Sequence, residues 1–187
     1  MEYLSERIAR YFFKHHLLNA DDIEVCQYAI YRRLSRIVVG GLLVLLGSFE
    51  AGLFPAICFT LAFLFLREAT GGYHAPNEVT CVILSCVVEF VLLMLVDPLL
   101  RLQPSQWLLM VGGCAFIVLI APVNDENIHM TDQEMKINAC RARLRLAIIV
   151  SSIVILQLLG AVHAVVALQL AIFGVATSIL VATLKNI

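Results

Sequence analysis

From Ile37 to Leu66 the chain runs for 30 residues with one charge, Glu50. A single helix of that length would reach about 45 Å, against a hydrocarbon core of about 30 Å. The run therefore divides into two short spans, with the turn expected in "GSFEAG", Gly47 to Gly52. Further apolar stretches lie at 79–100, 105–121 and 144–184. The last is again twice a span, with its turn expected in "LGAVHA", Leu159 to Ala164. Composition agrees: 61% of the 187 residues are hydrophobic and 14% charged, where a soluble domain has about 45–50% and about 25%. The predicted fold is all-α, a single polytopic membrane domain over 1–187 with six transmembrane helices. The opening "MEYLSERIAR" lacks the apolar core of a signal peptide, so the first span is expected to insert uncleaved.

Charge placement orients the spans. With six spans and the N-terminus inside, six Lys/Arg precede Ile37, Arg67 follows the second span, Lys136, Arg141, Arg143 and Arg145 follow the fourth, and Lys185 follows the sixth. Twelve of the 13 basic residues then face the cytoplasm, and only Arg101 lies outside. Were 37–66 one helix, the split would be seven to six, and the positive-inside rule favours the first arrangement. The expected layout is a cytoplasmic or interfacial arm over 1–36, spans over 37–66, a cytoplasmic loop over 67–78, spans over 79–121, a second cytoplasmic loop over 122–143, and spans over 144–187. Both termini are cytoplasmic in this layout. In the arm, Leu4, Ile8, Tyr11 and Phe12 recur at helical spacing, which suits an amphipathic helix on the membrane surface. "DDIE" (Asp21 to Glu24) and "TDQE" (Thr131 to Glu134) resemble capping boxes that open helices.

The first polar break, "REATGGYHAPNEVTC", holds His74 and Cys81 seven positions apart. A cysteine is a strong nucleophile as thiolate, and a histidine beside it supplies base and counter-ion. Asn77 stands where it could cap the third span, which puts Cys81 in the first helical turn, where the helix dipole favours negative charge. In one straight helix, residues seven apart sit about 10 Å apart along the axis, too far for a hydrogen bond. The segment before Asn77 must fold back, and Gly71, Gly72 and Pro76 permit that. The pattern from Arg67 through Gly72 and His74 to Cys81, with the His-x6-Cys spacing, the charged arm and the later "APV", resembles the AgrB family of membrane peptidases that process quorum-sensing propeptides. The resemblance covers nearly the whole chain. It implies that Cys81 is the nucleophile and His74 its general base. The propeptide's C-terminal tail would leave and the remainder would be held as a thioester, which an internal Cys or Ser of the substrate converts to a thiolactone or lactone. One departure is local: after "APV" family members often carry Lys-Pro, and this chain reads "ENIHM", Glu126 to Met130.

Arg67 is a candidate for binding the acidic tail of such a propeptide, since its fork matches a carboxylate. Glu78 either orients His74 or complements the helix N-terminus. Glu89, inside the third span, demands a partner or water. His129 and His163 stand isolated in the sequence, and the six cysteines show no metal-ligand spacing, so no metal or cofactor is expected. "GG" at 40–41 and "VGGC" at 111–114 allow close helix contacts, within the chain or in a homodimer. The expected partners are an AgrD-like propeptide, the lipid bilayer and a second copy, with no nucleic acid. The competing reading, a small peptide transporter without proteolysis, requires ionisable residues along a path through several spans, and only Glu89 and Asp97 qualify.

Overall fold

The computed structural model describes residues 2–15, 22–72, 77–102, 105–124 and 131–185. Among them, helices form as α1 (Glu2–Lys14), α2 (Ile23–Ala51), α3 (Leu53–Thr70), α4 (Glu78–Met94), α5 (Val96–Arg101), α6 (Ser105–Ile120), α7 (Asp132–Leu158) and α8 (Val162–Lys185). The chain groups into two compact units, 1–42 and 43–187. In the first, α1 buries Ser5 and Ala9, one turn apart, and exposes Tyr3, Leu4, Tyr11 and Phe13. Glu6 and Arg10 pair across one turn, a solvated contact that contributes little stability. α2 opens within "DDIE", whose Asp21 lies outside the described residues.

The second unit is built around α8. Every residue from Ala164 to Ile172 is buried, because α3, α4, α5, α6 and α7 all pack against this helix. A helix apolar on all sides has no solvent face to present, so it occupies the centre. Small residues let its neighbours approach: a Cβ on Gly174 would stand 2.8 Å from Leu92 and 3.4 Å from the Phe63 ring. Phe59 and Phe63 stack at 5.8 Å between centroids to fill the α3 side of this core. In "VGGC" the close contact is within the chain, where Gly113 meets Ile172.

The breaks within the two long apolar runs fall at glycines. α2 gives way to α3 at Gly52, whose φ of +85° suits only glycine, and α7 gives way to α8 at Leu159–Gly160, with φ +74° at Gly160. Gly47, the other end of the expected turn, is instead helical and buried. A Cβ there would meet Leu93 at 2.4 Å and Ala56 at 3.2 Å. The stretch 79–100, expected as one helix, divides at Leu95 into α4 and α5. Pro98 has no N–H for the carbonyl of Met94 and its ring crowds that carbonyl, which ends α4 there.

Four helical segments have the length and composition to cross a membrane: Ile23–Ala51, Leu53–Thr70, Thr80–Arg101 and Val162–Lys185. α6 is apolar but has only 16 residues, about 24 Å at the helical rise. α7 has 27 residues but carries Lys136, Arg141, Arg143 and Arg145 into its middle. The expected layout of six spans would need these two helices to cross as well. Phe49, Leu61, Leu119 and Leu158 are among the large apolar side chains left exposed on the bundle, as a lipid-facing surface requires.

Candidate active site

α3 ends in a glycine corner. The N–H of Gly71 donates to the carbonyl of Arg67 at 3.1 Å, and Gly71 and Gly72 have φ of +68° and +109°, in the region where a Cβ is strained. Gly72 is seated against α8: an added Cβ would stand 2.9 Å from the Ser178 hydroxyl and 3.5 Å from the Arg67 guanidinium. Arg67 itself donates to the Ser178 hydroxyl, and its guanidinium lies 5.9 Å from the Phe63 ring centre. The two predicted cytoplasmic loops meet at this corner. Gly71 and Val123 form an isolated parallel bridge, and the Val123 N–H donates to the Thr70 carbonyl at 3.2 Å. The "APV" loop is thereby attached to the end of α3.

The basic stretch of α7 reaches the same end. Arg145 donates to the Phe65 carbonyl at 2.6 Å, pairs with Glu68 at 3.1 Å, and lies 4.6 Å from the Phe65 ring centre. The ends of α3, α6 and α8 and the middle of α7 thus stand at one side of the bundle. At the start of α7 the capping box of Thr131 and Glu134 is complete: Thr131 N–H and hydroxyl both donate to the Glu134 carboxylate, and the Glu134 N–H donates back to the hydroxyl. The backbone bond from Thr131, and then its hydroxyl, hold the Glu134 carboxyl below its ordinary pKa.

α4 starts at Glu78 with Asn77 at the N-cap position. The expected Asn77 cap does not form. Its side-chain oxygen accepts from the Thr80 hydroxyl at 3.1 Å rather than from a backbone N–H. Cys81 is half-buried in the first turn as expected, and its N–H donates to the Asn77 carbonyl at 3.1 Å. Its depth follows from a contact lower in the helix. Glu89, 2% exposed, accepts from the Thr60 hydroxyl of α3 at 2.5 Å, which sets the register of α4 against α3. Cys81 is eight residues up α4 from Glu89 and Arg67 seven up α3 from Thr60, in opposite chain directions. At 1.5 Å per residue, Cys81 and Arg67 share a level within about one helical turn.

His74, with Tyr73, Ala75 and Pro76, lies outside the described residues, as does the side chain of Glu78. His129 also lies outside them, while His163 is not isolated: its Nε2 stands 3.6 Å from Asp97 at the other end of the bundle. Sequence reasoning missed Ser178, a lone serine in an apolar helix, and Thr60 as the partner of Glu89. Neither carries a local signature, because each acts on a residue distant in sequence. Arg145 with Glu68 could have been paired from charge alone. The second Glu89 oxygen has no partner among the described residues.

No curated protein and no solved structure matches the chain. A family model does: that of AgrB, accessory gene regulator B, over residues 5–184.

Proposed function

We propose, for a chain that belongs to the AgrB family, that it is a membrane cysteine endopeptidase which trims and cyclises its propeptide. Membership ties it to quorum-sensing propeptide processing, to an AgrD-like substrate and to the membrane. The observation that carries the finer reading is the corner at the end of α3. Arg67, Gly72 and Ser178 are locked together at about the depth of Cys81, with the "APV" loop attached.

In this reading the Cys81 sulfur attacks the scissile carbonyl as His74 takes the thiol proton. The C–N bond breaks, His74 returns the proton to the leaving amine, and the acyl group remains on Cys81 as a thioester. A thiol or hydroxyl of the substrate then gives its proton to His74 and attacks that carbonyl. The C–S bond to Cys81 breaks and Cys81 leaves as thiolate, closing a thiolactone or lactone and returning to thiol with the proton held by His74. Water must stay away from the thioester, or a linear acid results. Arg67 orients the acidic tail. Its planar guanidinium fork matches a carboxylate. Six spans, cytoplasmic termini, an α1 lying on the membrane surface and a second copy packed on an open helix face complete the reading.

Co-expression with the AgrD-like propeptide tests it. The unaltered chain gives a shortened, cyclised peptide, while Cys81→Ala and His74→Ala give only the full-length one, as read by mass spectrometry. Cleavage that persists in Cys81→Ala refutes the mechanism.

A further inference from the structure

Along the flank of the second unit, between α3, α7 and α8, runs an open furrow of about 540 Å³. Cys58, Leu61 and Phe65 of α3 form one wall, and Ile148, Ser152 and Ile155 of α7 the other. Its polar hydroxyl is occupied, since Ser152 donates to the Ile148 carbonyl at 2.9 Å. An occupant must therefore be apolar along this length. From Cys58 to Phe65, and from Ile148 to Ile155, each wall rises about 10 Å, within the roughly 15 Å of one hydrocarbon leaflet.

The two ends differ. Phe65 closes one end, and Arg145 sits on its ring and carbonyl and on Glu68. Both polar contacts use Nη1 of Arg145, and the guanidinium has further donors. Arg141 lies one turn farther out on the same stripe of α7 and is exposed, as is Arg143. Glu68 is offset by Arg145, and Arg141 and Arg143 add two exposed cations beside this mouth. An apolar slot contained within one leaflet, with cations at its outer end, matches a lipid tail joined to an anionic headgroup.

We propose that this furrow binds one anionic phospholipid, with an acyl chain between α3 and α7 and the phosphate on Arg141 and Arg145. The site is independent of the peptidase reading. Its test is native mass spectrometry of the full-length protein released from detergent micelles, titrated with palmitoyl-oleoyl phosphatidylglycerol or with phosphatidylcholine bearing the same chains. The unaltered chain retains one phosphatidylglycerol more tightly than phosphatidylcholine. Arg141→Gln weakens phosphatidylglycerol about fivefold, the effect of one headgroup-level cation, and leaves phosphatidylcholine unchanged. Ser152→Phe fills the slot and abolishes both. Circular dichroism and monodisperse elution report that the variants are folded, and Arg141→Gln, at an exposed position, keeps the test decisive if Ser152→Phe is not. Equal affinity for the two lipids overturns the proposal, as does lipid retained by folded Ser152→Phe. A lipid-free dimer that Ser152→Phe dissociates also overturns it, by assigning the furrow to a second copy.

Discussion

Gly72 shows how much of a site one missing atom can hold. Its φ of +109° and the 2.9 Å approach of Ser178 to an added Cβ both oppose any side chain. Gly72→Ala therefore strains the corner by about 1–3 kcal/mol and pushes on the atoms that hold Arg67. The expected outcome is a lower melting temperature in detergent together with a larger fall in propeptide cleavage than Gly112→Ala gives. Gly112 has open space around it and serves as the control. Equal effects at the two glycines would remove the corner from the site. Arg67, Gly71, Gly72, His74 and Cys81 stand out as candidates because they sit in one short polar break, where chemistry is conspicuous against apolar sequence. Of these, the structure brings Arg67 and Gly72 together at the corner, and His74 lies outside the described residues. Ser178, 111 positions from Arg67, does not stand out, since a single serine in a membrane helix usually bonds only its own backbone.

Helix ends were read well where the signal is local. "TDQE" supplies both halves of a capping box within four residues, and glycine at Gly52 and Gly160 ends a helix directly. The division of α4 from α5 was missed because Pro98 acts four residues back from its own position. Gly47 was misjudged because a helical glycine under a neighbouring helix looks, in sequence, like a turn. The capping box carries a pH dependence. The Glu134 carboxyl is held below its ordinary value by the Thr131 N–H and hydroxyl, so the folded state favours the ionised form. That contribution is complete above the unfolded pKa, about 4.3 for Glu, and is lost as pH falls through the lower folded value. Amide exchange in the first turn of α7 should accelerate, relative to the middle of α8, as pH drops below about 4.3. In Thr131→Ala the first turn should exchange quickly already at neutral pH. If exchange in the unaltered chain keeps a constant ratio across that range, the box does not hold the helix start.

At the scale of the whole molecule, the sequence specified an all-helical membrane protein because apolar runs and charge placement are long-range averages that survive local error. It did not specify which helix lies at the centre, because α8 and α4 are comparably apolar and only packing separates them. The interior location of α8 follows from its alanines and glycine, which admit five neighbouring helices. Orientation rests on the basic residues alone. The contacts joining Arg67 to Ser178, Arg145 to Glu68 and Gly71 to Val123 gather the ends bearing six of the seven basic residues of 43–187 on one side. A chain inserted with that side outward would place Arg67, the α7 arginines and Lys185 against the positive-inside rule together. Cys140 gives a native probe, being exposed on α7 among these arginines. In a variant retaining only this cysteine, a membrane-impermeant maleimide should label inverted vesicles and leave intact cells unlabelled until they are permeabilised. Labelling of intact cells would reverse the topology, and with it the access of Cys81 to a cytoplasmic propeptide.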